Sequence, residues 1–146
     1  MVIGIIGESC TGKSTLAQEI AEQFPGEVIT GKDYLRLAKN ENIAKLMFQK
    51  KLQAALTGEN VIYVISEKEH LALLPEGAIR ILVTAELETI KGRFAQRMRG
   101  NLPAPVAQML EKKHGCFDAV PHDIHVISGE TDPESICRML QNRGLG

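Results

Sequence analysis

Two periods of apolar and polar residues alternate along this chain. Val2–Ile6, Val61–Ile65, Ile79–Thr84 and Ile124–Ile127 are short, nearly continuous apolar runs rich in valine and isoleucine. Runs of that length and composition predict strands buried on both faces. Glu27–Thr30 predicts one further strand. Between these runs the apolar positions fall three and four residues apart. Leu16, Ala17, Ile20, Ala21 and Phe24 trace one stripe of a helix over Lys13–Phe24, stopped by Pro25 and Gly26. The same spacing predicts a short helix from Asp33 to Leu37 and a longer one over Ile43–Leu56, ended by Thr57 and Gly58. Further helices are predicted over Glu86–Arg99, Val106–His114 and Pro133–Asn142, with Gly100–Pro105 interrupting the first two. Strands alternating with helices imply right-handed crossovers and a parallel sheet covered on both faces.

Composition narrows the class. At 146 residues, 44% hydrophobic and 24% charged, residues 1–146 read as one folded domain. A formal net charge of −1 gives no electrostatic case for a nucleic-acid or membrane partner. No apolar run reaches the roughly 18 residues of a membrane span. Met1 leads directly into the first strand without a basic start, so no signal peptide is expected. Cys10, Cys116 and Cys137 are an odd number without metal-ligand spacing, which is most simply met in a reducing cytoplasm. His70, His114, His122 and His125 show no ligand spacing either and read as surface or core residues.

The strongest chemical signal follows the first strand. Gly7-Glu8-Ser9-Cys10-Thr11-Gly12-Lys13-Ser14 satisfies G-x-x-x-x-G-K-[ST], with a strand before it and an amphipathic helix after it. Glycine permits positive φ and lets a phosphate approach the backbone. Successive amides then form an anion-binding concavity, reinforced by the positive end of the helix. Lys13 can reach the terminal phosphates of a nucleoside triphosphate, Ser14 can ligate magnesium, and Thr15 can bond a nearer phosphate. The bland alternative is a glycine-rich turn with an exposed lysine.

Arg93 and Arg97 lie four residues apart on one helical face, with Arg99 beyond them. Two guanidinium groups facing the same way can bracket a transferring phosphoryl group. The region of about 93–112, with Gly100–Pro105 in its middle, reads as a short lid whose closure excludes water. A solvated basic face paired with Glu86 and Glu88 is the plainer account.

With these residues in view, the chain resembles the P-loop nucleoside monophosphate kinase and small-molecule kinase group, most of all cytidylate kinases and adenylate kinases. Thr30–Ala38 is similar to the cytidylate kinase segment T-G-A-M-Y-R-A-L-A. Leu74–Ala85 is similar to its L-P-x-A-x-x-K-I-F-L-T-A stretch, and Arg93-Phe94-Ala95-Gln96-Arg97 to the R-[LF]-x-x-R start of its lid. The resemblance implies an α/β, three-layer P-loop NTPase fold: a five-stranded parallel sheet with helices on both faces and a short lid above its phosphate edge. It further implies ATP as donor and Mg2+ as its ion. Arg93 would lie near the base or phosphates of the donor, Arg97 would clamp phosphates, and Ser128-Gly129-Glu130 would lie beside the donor base. The chain departs from the family in four places. The lid lacks the family's further acidic and arginine pair, Lys112 and Lys113 being the nearest basic residues. The acceptor-segment arginine is Arg36, one position late. Only about twenty residues separate Ala38 from the third strand, and Ser66-Glu67 replaces the usual Asp-Gly.

Asp33 follows a predicted strand at the carboxyl edge where open α/β sheets bind ligands. A carboxylate there can take a hydroxyl proton and help hold magnesium, or it can simply cap the next helix. Arg36 can bind an anionic group of the acceptor or be merely exposed. Glu67 can hold a magnesium-bound water, as the family's acidic residue does, or be a solvent-facing charge. The leading expectation is therefore an ATP-dependent phosphotransferase acting on a small acceptor, a nucleotide or a hydroxyl metabolite. A catalytically weak nucleotide-binding module of the same fold is the rival, and a triphosphatase is a third reading. Whether the chain works as a monomer or a dimer is left open by the sequence.

Overall fold

The computed structural model describes residues 1–145. Five strands, β1 (Val2–Ile6), β2 (Gly26–Thr30), β3 (Asn60–Ile65), β4 (Ile79–Thr84) and β5 (Ile124–Ile127), form one sheet in the order β2-β3-β1-β4-β5. Every neighbouring pair is parallel. Five α-helices complete the fold: α1 (Lys13–Gln23), α2 (Glu41–Ala55), α3 (Leu87–Arg97), α4 (Ala104–Lys113) and α5 (Pro133–Leu145).

The period of two in the strands sorts their side chains between two cores. Ile3, Ile5, Ile62, Val64, Ile81 and Val83 point to one face, where Leu16, Ala17 and Ile20 of α1 and Ile136 and Leu140 of α5 cover them. Val2, Ile6, Val61, Tyr63, Ile65 and Leu82 point to the other, under Ala44, Phe48 and Leu52 of α2. Phe117, from the segment after α4, completes that second core. Phe48 meets the ring of Tyr63 edge-on at 4.8 Å, and each fully buried side chain of this size contributes about 2–3 kcal/mol. A third, smaller cluster joins α3 and α4 through Ile90 and Leu110 and rests on Cys10 and Ala85. The sheet therefore sits between two helical layers, with an α3–α4 hairpin seated at its carboxyl edge.

Local chemistry explains the departures from the periodic reading. α2 begins at Glu41, earlier than the apolar stripe, because the Asn40 side chain accepts the Ile43 amide at 3.1 Å and caps the helix. α3 stops at Arg97, and Arg99 (φ 63°) with Gly100 (φ 86°) turns the chain back. Pro105 enters the first turn of α4 instead of lying outside it, since a first-turn proline lacks only an amide that has no acceptor there. β5 alternates buried and exposed residues, so this edge strand has one covered face and not two. A 3₁₀ segment at Lys68–Leu73 was not anticipated, because it buries only His70 and Leu73 and leaves no stripe in the sequence.

Candidate functional site

The site begins where β1 ends. The Gly7 amide donates to the Ile65 carbonyl at 3.1 Å, holding the start of the loop against the end of β3. A Cβ at Gly7 would stand 2.4 Å from the Val83 carbonyl oxygen, so the close passage of the β4 backbone requires glycine here. Gly7 does not adopt a positive φ. The left-handed positions of the loop are Gly12 (φ 93°) and, unexpectedly, Cys10 (φ 64°).

Two side chains close the loop into a ring. Thr11 Oγ1 donates to the Glu8 carbonyl at 2.8 Å, and Lys13 Nζ donates to the same oxygen. Gly12 is the N-cap of α1 and supplies no side-chain acceptor. The first-turn amides of Lys13, Ser14 and Thr15 consequently have no intrahelical partner and sit at the positive end of the helix. Lys13 is only 5% exposed. Burial lowers its ammonium from 10.5 to about 8; Cys10 and Glu8 oppose that shift, and Arg97 adds to it. Among the described residues it forms no ion pair with a carboxylate. Uncapped amides beside a desolvated cation are the chemistry that suits an anion such as a phosphate.

Beside the loop lies a cavity of about 620 Å³, within the usual range for small-molecule sites. Cys10, Gly12 and Thr15 border it from the loop, Arg93 and Arg97 from α3, and Ser128 and Gly129 from the turn after β5. Val83, Val126 and Ile136 give it an apolar floor. Arg93 bridges its two walls, donating from Nη1 to the Cys10 carbonyl at 3.0 Å and from Nη2 to Ser128 Oγ at 2.9 Å. The cavity thus combines two guanidinium groups with an apolar lining. Ser9 and Ser14 are exposed at the loop, and the Ser14 hydroxyl is an oxygen ligand of the kind magnesium takes. Arg99 is exposed and does not border the cavity.

Glu8 plays a second part that its place in the loop did not indicate. Its carboxylate accepts from His114 Nδ1 and from the Gly115 amide, each at 3.2 Å, tying the end of α4 to the loop. Ser128, the direct partner of Arg93, was anticipated only as a member of its turn.

The predicted acceptor residues lie apart from this cavity. β2 is two strands from β1, roughly 10 Å at the usual strand spacing. Asp33 and Arg36 flank a separate cavity of about 190 Å³ against β2, Tyr34 and Phe48. Asp33 Oδ2 accepts the Thr30 amide at 3.2 Å, and its other carboxylate oxygen makes no hydrogen bond among the described residues. Glu67 is exposed just beyond β3. A hydrogen bond with the Glu69 side chain lowers its pKa most, aided by Lys32, His70 and Lys113.

No protein-family model matches the chain, and no curated protein matches it in sequence. Solved structures do match it in fold. An uncharacterized protein from Eubacterium ventriosum superposes with a TM-score of 0.66 at 18% identity, covering 98% of this chain and 97% of the other. A sugar kinase from Janibacter sp. gives 0.62 at 17% identity, covering 97% and 92%. Shikimate kinase from Acinetobacter baumannii, solved in complex with shikimate, gives 0.64 at 13% identity, covering 99% and 92%. The architecture of this chain is thus a three-layer α/β, P-loop-like fold, shared with these solved kinase structures.

Proposed function

We propose that this chain is a kinase that moves the γ-phosphoryl group of ATP, taken with magnesium, onto a hydroxyl of a small acceptor. The observation that carries the reading is the desolvated Lys13 at the uncapped N-terminus of α1, with Arg93 and Arg97 bordering the adjoining cavity. In the reaction the bond from the γ-phosphorus to the β-bridging oxygen breaks and a bond to the acceptor oxygen forms. Lys13, Arg93 and Arg97 stabilise the charge on the transferring group. Ser14 and Glu67 would hold the magnesium, which neutralises charge on the donor phosphates. Arg93 orients the donor, and Gly129 borders its base. Asp33 takes the hydroxyl proton on the oxygen that Thr30 leaves free, and Arg36 binds an anionic part of the acceptor.

A hydroxyl acceptor is favoured over a nucleoside monophosphate of the cytidylate or adenylate kinase kind. A phosphate acceptor is already ionised and needs no base, and only a short stretch between Ala38 and β3 is available to enclose a nucleotide. The three free cysteines suit a reducing cytoplasm.

The test is a screen of sugars, polyols, hydroxy acids, nucleosides and nucleoside monophosphates for ATP-dependent phosphorylation. Lys13→Ala is expected to abolish transfer with an intact circular-dichroism spectrum. Asp33→Asn is expected to lower kcat while triphosphate affinity holds. Undiminished turnover in Lys13→Ala would sink the mechanism. Tight ATP binding with no acceptor would leave the rival reading, a nucleotide-binding module of this fold.

A further inference from the structure

His70 is 3% exposed, yet its imidazole makes no hydrogen bond among the described residues. Nδ1 is buried without a partner, and Nε2 stands 3.8 Å from Glu69 Oε1, beyond bonding reach. Leaving a buried polar group unsatisfied costs about 1–3 kcal/mol, and a purely structural filler would be leucine or phenylalanine. The ring is also held in place, with Tyr34 at 6.0 Å and nearly perpendicular and Tyr63 at 6.3 Å. The ring's other nitrogen, Nε2, is the one nearest Glu69, and one ligand atom each from Glu67, Glu69 and His70 lie within 4.8 Å of one another. No lysine or arginine among the described residues forms an ion pair with either glutamate.

We infer that Glu67, Glu69 and His70 bind one divalent transition-metal ion, with zinc preferred over magnesium, just beyond the carboxyl end of β3. Ligands about 2.1 Å from a common ion stand about 3–4 Å apart, so the exposed glutamates need move only about 1 Å to close on it. Two carboxylates and an imidazole form a mixed oxygen–nitrogen set that suits zinc or manganese, whereas magnesium favours oxygen alone. The 3₁₀ segment Lys68–Leu73 presents Glu69 and His70 side by side, and Glu67 directly precedes it. The site shares Glu67 with the proposed function but needs no nucleotide, so a chain that transfers nothing would still bind the ion.

The experiment is isothermal titration of the full, nucleotide-free chain with Zn2+ alone and with Mg2+ alone at pH 7, with the visible absorption of added Co2+ as a second readout. One Zn2+ per chain is expected, with Mg2+ at least tenfold weaker. Glu69→Gln, an exposed change that leaves the core untouched, is expected to weaken zinc at least tenfold. His70→Gln, with folding checked by circular dichroism, should do the same and alter the Co2+ spectrum. The paired change His122→Ala and His125→Ala removes the neighbouring imidazoles, whose rings lie 5.8 Å apart, and should leave zinc binding unchanged. Wild-type zinc affinity in both Glu69→Gln and His70→Gln, or loss of binding with the His122 and His125 pair, would overturn the inference. Equal affinity for Mg2+ would overturn it as well.

Discussion

Lys13 concentrates the physics of the site in one side chain. Its folded-state pKa of about 8 lies below the 10.5 of an exposed lysine. Below pH 8 both folded and unfolded chains carry the proton, and the folded state bears the full penalty of the buried charge. Between pH 8 and 10.5 the unfolded chain binds more protons, so this residue's contribution to stability improves as pH rises. Lys13→Met is therefore expected to raise the melting temperature of the nucleotide-free chain at pH 7 by roughly 3–6 °C, a gain of about 1–2 kcal/mol, with the difference fading toward pH 10. On the proposed reading, a bound polyphosphate would restore the proton. Calorimetry at pH 8 in buffers of different ionisation enthalpy should register uptake of about half a proton per ATP, and almost none at pH 6.5. No stabilisation in Lys13→Met would show that the ammonium is solvated. Gly7 gives a second residue-scale prediction. Because the opposing Val83 oxygen belongs to a strand paired on both sides, it cannot retreat from a new Cβ. Gly7→Ala should destabilise by about 2–3 kcal/mol in urea unfolding, whether or not nucleotide is present.

At the scale of elements, the hairpin of α3 and α4 packs on the Gly7–Gly12 loop through Cys10. Leu110 and Ile90 pack against Cys10, so loosening the hairpin also loosens the loop. Leu110→Ala is expected to cost about 2–4 kcal/mol of stability and to weaken triphosphate affinity with it. Lys91→Ala, which removes the 2.6 Å ion pair to Glu111 on the hairpin's outer side, should leave the unfolding midpoint nearly unchanged. Equal effects of the two changes would contradict a packing origin. The elements themselves were legible because each announces its period: valine and isoleucine runs for β1, β3 and β4, and a spaced stripe for α1. The loop was legible because its chemistry is local, eight residues with fixed spacing. The bonds of Arg93 to Ser128 and of Glu8 to Gly115 were not, because they join residues 35 and 107 positions apart, and the strand order decides which distant groups meet. His114 read as an ordinary histidine for the same reason: its partner, Glu8, lies 106 positions away.

For the molecule as a whole, the order β2-β3-β1-β4-β5 places the loop at the centre of the carboxyl edge, between an apolar-floored cavity beyond β4 and an acidic rim beyond β3. The parallel sheet follows from alternation of strands and helices, whereas its strand order, and so its switch point, does not. That two separate cavities form, one beside α3 and one against β2, does not follow, since residues from distant parts of the chain line each of them. The central position of β1 also shapes how this chain comes into being. Of the five strands it is synthesised first, yet its partners begin at Asn60 and Ile79. A ribosome adding about 5–20 residues per second leaves Val-Ile-Gly-Ile-Ile without a neighbour for several seconds, a bare apolar ribbon suited to capture by a chaperone or by another nascent copy.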